Sequence, residues 1–203
     1  MFDHVTIRVS DLEASESFYD TVLARLGLTG ERPGFRLLEA STPERVTRNL
    51  HLGFAAPSRA EVDEFWRAGT EAGHPDDGAP GPRPVYSPDY YGSFLLDPDG
   101  NSAEAVHHEN MRRGGPVDHI WIRVADLAAS RRFYDSMAER IGFELAAERD
   151  DYARYAGRGA TFSIMPGEHP TRHVHMAFPA AADGVHLDPD GNSIELVYTT
   201  RPT

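Results

Sequence analysis

The chain says the same thing twice, and that limits its folds more than any other feature. Residues 3–28 read DHVTIRVSDLEASESFYDTVLARLGL and residues 118–143 read DHIWIRVADLAASRRFYDSMAERIGF; about half of the aligned positions are identical without a gap. A second match pairs DPDGNSAEAV, residues 97–106, with DPDGNSIELV, residues 188–197. The offset between the copies differs for the two matches, so the copies share their ends and differ in their middles. The period is too long for a solenoid, which makes this a domain duplication. The copies are expected at 1–112 and 113–203, joined near Met111–Pro116, where MRRGGP concentrates Gly and Pro.

A chain of 203 residues with 40% hydrophobic content can build two cores of about 100 residues each. No apolar run approaches a membrane span. The opening MFDHVTIRV lacks the basic and apolar regions of a secretory signal. There is no cysteine, so disulfides and thiolate metal sites are excluded and any metal must sit on His and carboxylates. These features suit a cytoplasmic protein that does not engage membranes. The net charge is −12, with Arg the only basic residue besides His. That argues against nucleic acid, whose phosphates need a basic patch, and suits a soluble surface, a metal ion or a cationic ligand.

The fold class read from the pattern is α+β. Val5, Ile7 and Val9 alternate with His4, Thr6 and Arg8, which predicts a strand. Ser10-Asp11 supplies an N-cap for a helix over Leu12–Leu26, with Gly27 at its end. Gly34–Ala40 and Asn49–Ala55 read as strands, Ser58–Ala72 as a second helix, Gly78–Pro84 as a loop, and Tyr90–Leu96 and Ser102–His107 as closing strands around the DPDG turn. Copy two repeats the order with a helix at Leu127–Ile141, a hairpin of Tyr152–Ala156 and Thr161–Met165, and short strands at Arg172–Phe178 and Gly184–Leu187. Only Pro179–Asp183 separates those two strands, so the second helix has no counterpart in copy two. Copy one is short between Leu28 and Asn49, so its first half is expected to lack a strand.

Strand faces decide which side chains can meet. His4, His51 and Glu104 each point away from the apolar face of their strand, and so do His119, His175 and Glu195 in copy two. Aligning NLHLGFA with HVHMAFP favours His175 over its neighbour His173. Two imidazoles and a carboxylate form a three-ligand set that holds Fe(II), Mn, Ni, Co or Zn and leaves coordination positions open. An open position lets a molecule with vicinal oxygens chelate the ion. A duplicated chain also copies bystanders, so the second set does not independently support the first.

These motifs closely resemble the vicinal oxygen chelate superfamily of glyoxalase I, extradiol dioxygenases, fosfomycin resistance enzymes and bleomycin-binding proteins. The resemblance covers most of copy one and both ends of copy two. It implies tandem glyoxalase-like domains of paired βαβββ modules, each a cupped mixed sheet with helices outside, and ligand sets of His4, His51, Glu104 and of His119, His175, Glu195. Glyoxalase-type members add a fourth acidic or amide ligand, for which Glu39 is the candidate; copy two has no acid in the matching ATFSIMP. Three ligands are more like the extradiol enzymes, which keep a His and a Tyr beside the metal. Tyr90, Tyr91, His186 and Tyr198 are the candidates for those two roles, while Arg8 and Arg123 share the strand face of the first His and could stabilise charge.

Two functions compete at this stage. One is a metal-dependent dioxygenase, lyase or isomerase acting on a small oxygenated molecule. The other is a drug-sequestering protein of the bleomycin-resistance kind, which would hold a cationic aromatic ligand with Trp66, Trp121 and the tyrosine pair. Either would be a monomer or homodimer, with the surface left bare by the missing helix covered by the other copy or a dimer partner.

Overall fold

A computed structural model describes residues 1–30, 32–109 and 115–199. In chain order the elements are β1 (His4–Val9), α1 (Leu12–Leu23), β2 (Phe35–Glu39), β3 (Leu50–Ala55), α2 (Arg59–Glu71), β4 (Asp76–Pro82), β5 (Tyr91–Leu96), β6 (Ser102–His107), β7 (Val117–Val124), α3 (Leu127–Ala138), β8 (Phe143–Arg149), β9 (Tyr152–Gly157), β10 (Thr161–Pro166), β11 (His175–Ala180), β12 (Gly184–Leu187) and β13 (Ser193–Tyr198). The expected copy boundary and most of the MRRGGP junction lie outside the described residues.

The strands form an eight-stranded sheet, β4-β5-β6-β3-β7-β10-β9-β8, and a five-stranded sheet, β12-β13-β11-β1-β2. The larger sheet is two complete βαβββ modules back to back: β3 to β6 from the first sequence copy and β7 to β10 from the second. They meet where β3 runs antiparallel to β7, with Leu52 opposite Ile120 and Gly53 opposite His119. The smaller sheet is built from the two incomplete modules. β1 pairs β2 in parallel, as β7 pairs β10, so β2 stands for the last strand of a module whose two middle strands are missing. β11 to β13 make a module without its helix and one middle strand, joined to β1 with His4 opposite Ala177.

Alternation works as the strand pattern predicts. Val5, Ile7, Val9, Ile120, Ile122 and Val124 are fully buried under the helices, in a core that runs through both copies. Asp11 and Asp126 cap α1 and α3 by accepting from the backbone N–H of Ala14 and Ala129. The helix expected to reach Leu26 ends as regular α-helix at Leu23, and a tight turn over Ala24–Leu26 closes on Gly27 at φ 80°. The Gly78–Pro84 stretch, expected as a loop, instead belongs largely to β4. Pro80 and Pro82 are tolerated because β4 is an edge strand, whose outward N–H groups have no ladder to feed. β8 was not anticipated, since Phe143–Arg149 shows only weak alternation.

The NLH/HVH match extends back by a Thr-Arg pair that was not read from the sequence, and TRNLH at residues 47–51 and TRHVH at residues 171–175 fasten the copies together. The Thr47 hydroxyl accepts from the Arg8 N–H and donates to the His173 carbonyl, while Thr171 accepts from the Arg123 N–H and donates to the Asn49 carbonyl. Each threonine therefore ties its own copy to the other. The carbonyls they hold belong to Asn49 and His173, at φ 57° and 62°, a left-handed backbone that turns the chain into the strand bearing His51 or His175.

Candidate metal centre

The DPDGN motif sets the candidate ligand histidines of β3 and β11 in place. Asp97 is buried; one carboxylate oxygen accepts from the N–H groups of Asp99 and Asn101, the other from the Tyr19 hydroxyl and the Asn101 side-chain amide. Asn101 in turn accepts from the Leu50 N–H and donates to the Thr47 carbonyl, which pins the residue before His51. Gly100 closes the turn at φ 80°. Asp188, Tyr134 and Asn192 repeat these bonds around Val174 and fix His175. The FYD and DPDGN repeats are thus two ends of one buried lock.

The strands bring the six histidines and glutamates together in two clusters, His51 with Glu104 and His119, and His4 with His175 and Glu195. This corrects the grouping expected from the copies. Sequence similarity reports which copy a residue sits in, whereas the sheets pair modules across copies, so each cluster takes its first-strand histidine from the opposite copy.

In the larger cup, His51 Nε2 is 3.0 Å from Glu104 Oε2 and 3.0 Å from His119 Nε2, and His119 Nε2 is 3.1 Å from Glu104 Oε2. The far sides of all three groups are held. His119 Nδ1 donates to Asp118 at 2.9 Å. Ser102 donates its hydroxyl to Asp77, so at 3.2 Å it accepts from His51 Nδ1–H, which leaves Nε2 of His51 as a lone pair. The Tyr90 hydroxyl donates to Glu104 Oε1 at 2.7 Å, leaving Oε2 for the centre. Glu104 and His119 are buried, and two glycines make room for them. A Cβ on Gly53 would intrude on the His119 ring, and one on Gly92 would meet Glu104 Oε1.

Electrostatics mark the centre as a place for positive charge. Burial would raise Glu104, but the hydrogen bonds from His119 and His51 outweigh it and hold the carboxyl at about 2. Burial would lower His119, yet Asp118 and Glu104 push it up to about 10. Burial wins at His51, which is shifted down despite Glu104. Asp118 is held well below the usual carboxylate range: burial opposes this, and its bonds with His108 and His119 overcome it. The metal-free triad therefore keeps one proton between two imidazoles and a carboxylate. Its donor set of two nitrogens and one oxygen, all aimed at that point, fits a divalent ion in the proton's place.

The smaller cup has the same plan with less support. His175 Nε2 is 3.0 Å from Glu195 Oε2, His175 Nδ1 is 3.1 Å from Ser193 Oγ, and His4 Nδ1 is 2.8 Å from Asp3. The Glu195 side chain is 34% exposed against 1% for Glu104. Ala177 stands where Gly53 does, and the repeat places Ala181 and Thr199 at the positions of Tyr90 and His108. Glu39 is outside the cluster: it pairs with Val9, while the cup-facing positions of β2 are Arg36 and Leu38. The matching positions in the larger cup are Thr161, Ser163 and Met165, so among the described residues neither cup has a fourth acid on this strand.

A cavity of about 480 Å³ opens beside His51 and Glu104, walled by Tyr86, Tyr90, Phe94 and Trp121, with Arg83 and Arg123 also lining it. Tyr90 and Arg123 are thus brought to the site. Tyr91 and His186 are not. Tyr91 sits one residue out of phase, on the helix side of β5, bonded to Asp63 and covered by Arg59. His186 pairs with Ile194, on the face opposite Glu195, near Arg140. Arg8 lies on the His4 face of β1, in the smaller sheet. Tyr198 faces away from Glu195 and is largely exposed, and His173 remains outside the cluster. Trp66 bonds Asp76 on the outer surface. Sequence reading missed Asp118, Ser102, Gly53, Phe94 and Arg83. The repeated Asp-His and DPDGNS strings carried the first two; nothing local marks the others.

Comparison with known proteins agrees with this architecture. A glyoxalase/bleomycin resistance protein from Albidiferax ferrireducens T118 is 32% identical over 53% of this chain and 99% of its own, with a TM-score of 0.48. Glyoxalase I from Zea mays, 16% identical, matches 97% of this chain and 92% of its own with a TM-score of 0.64, a likeness of fold. No curated protein matches significantly. Among the described residues no helix is long and apolar enough to cross a membrane. The model of the Glyoxalase/Bleomycin resistance protein/Dioxygenase superfamily matches residues 1–105, and the chain belongs to that superfamily.

Proposed function

We propose that this chain is a divalent-metal-dependent enzyme acting on a small molecule that chelates the ion through vicinal oxygens, in a ring-cleaving, lyase or isomerase reaction. The carrying observation is the convergence of His51, Glu104 and His119 on one buried point beside a cavity. A bound ion would supply Lewis acidity at the substrate oxygens. Asp118 and Ser102 fix the imidazole tautomers, Tyr90 keeps one carboxylate oxygen out of the coordination sphere, and Trp121 offers a flat wall. His4, His175 and Glu195 form a second, weaker site in this reading, because its carboxylate is exposed and lacks a tyrosine. Drug sequestration needs no such triad, and the arginines beside the cavity oppose a cationic guest.

Titration of untagged protein with Mn(II), Fe(II), Co(II), Ni(II) or Zn(II) tests the proposal. One ion per chain is expected to bind tightly, and near neutral pH its uptake should release a proton. His119 is pushed up to about 10, so its proton is present below that pH and must leave before Nε2 can coordinate. Apparent affinity should accordingly rise by about tenfold per pH unit between 6 and 8. Failure to retain any ion would overturn the assignment.

A further inference from the structure

We propose that His108 is a positioning residue of the larger cup. It braces Asp118 and Tyr90 at once, and through them holds His119 Nε2 and Glu104 Oε2 on the point where the imidazoles and the carboxylate converge. This deepens the metal reading and rests on it.

The strand pattern brings His108 to this place. Ser102, Glu104 and Val106 alternate along β6, and His108 continues their row just past the strand's end. β5 runs antiparallel to β6 with Tyr91 opposite His107, so Tyr90 comes level with His108. Their rings lie almost parallel, at 8° with 5.8 Å between centroids. His108 Nε2 is also 3.6 Å from Asp118 Oδ1. Asp118 holds His119 and Tyr90 holds Glu104, so His108 meets a partner of each candidate ligand rather than the ligand itself.

An orphaned atom gives the brace its purpose. Asp118 is buried, and its Oδ2 accepts from His119 Nδ1–H at 2.9 Å. Among the described residues its Oδ1 has no hydrogen-bond partner, and the His108 imidazole is what faces it. A buried carboxylate held by one oxygen alone is free to turn about its side-chain bond, and the imidazole it orients turns with it. His108 blocks that turn. Tyr90 gives its hydroxyl to Glu104 Oε1 at 2.7 Å, and its ring leans on His108 and on Tyr86, the latter at 5.0 Å. One side chain therefore steadies two of the three candidate ligands, while His51 is backed separately by Ser102 and Asp77. The smaller cup omits the brace. Thr199 and Ala181 stand at the positions of His108 and Tyr90, and Asp3, behind His4, is exposed. An exposed carboxylate finds water for its second oxygen and needs no imidazole there.

The test is Co(II) titration, which reads affinity and, from the visible absorption of the bound ion, ligand geometry. His108→Leu removes both contacts and should weaken the tight ion about 100-fold. His108→Phe keeps a ring against Tyr90 and should weaken it about tenfold, with a shifted absorption band and an unchanged far-ultraviolet spectrum. Double variants separate positioning from a general loss of packing. If His108→Phe acts through Asp118, adding it to Asp118→Asn should cost about twofold at most, while adding it to Tyr90→Phe should cost about the full tenfold. Parent affinity and absorption in both His108 variants, or a His108→Phe effect equally large on top of Asp118→Asn, would overturn the proposal and leave the metal reading standing. Parent protein that takes up no Co(II) would overturn the metal reading, and the brace with it.

Discussion

On the metal reading proposed above, Gly53→Ala is expected to strip the ion from the larger cup while the chain stays folded. The new Cβ would intrude on the His119 imidazole, and the ring cannot retreat freely. Asp118 holds its Nδ1, and β3 and β7 pair in unbroken register from Leu50 to Gly53, which stands opposite His119. Crowding of this kind costs ~1–3 kcal/mol in a packed interior, which a chain with this much core survives. Coordination is less forgiving, since displacing an oriented ligand lowers metal affinity by about 100-fold. The smaller cup supplies the contrast: Ala177 already occupies the matching position beside His4. Metal titration of Gly53→Ala, with circular dichroism to confirm folding, should lose the tight ion, whereas Ala177→Gly should leave that ion untouched. Unchanged tight binding in Gly53→Ala would mean that the tight ion is not held by His119.

Much of this was legible in the residues. Period-two alternation in residues 4–9 and 117–124 gives both first strands and the outward direction of His4 and His119, because a strand buried on one face has no other register available. The DPDGN strings give both turns, and the absent helix of copy two shows as a short Pro179–Asp183 link. Partnership was not legible. Copies are recognised by similarity, but β3 selects β7 because two complete modules can close one curved sheet, leaving β1 and β11 to pair as remnants. The same limit explains Tyr90 and Tyr91. Adjacent tyrosines look equivalent in sequence, while a one-residue step moves a side chain from the cup to the helix layer. β4 was hidden by composition, since proline content reads as loop until the strand is known to be an edge.

Removing the Asp97 carboxylate should be the most damaging single change to stability, even though Asp97 touches no candidate ligand. Four donors converge on it: two backbone N–H groups, the Asn101 amide and the Tyr19 hydroxyl. All sit in buried surroundings, so Asp97→Ala leaves them unpaired away from water, at a cost of about 3–5 kcal/mol. In a chain of this size that lowers the melting temperature by roughly 10 °C. Asp97→Asn should be nearly as harmful, because its amide turns a donor toward donors. Tyr19→Phe removes one bond and should cost only ~1–2 kcal/mol. The mirror lock at Asp188 has the same bonds, so Asp188→Ala should destabilise by a similar amount despite serving the weaker cup. Metal binding separates the two. Asn101 holds the Leu50 N–H next to His51, so the Asp97 variant should weaken the tight ion at temperatures where it remains folded, and the Asp188 variant should not. Thermal melts of both variants, with and without metal, read the two effects independently. An Asp97→Ala protein that melts like the parent would show that the repeated motif is kept for something other than this lock.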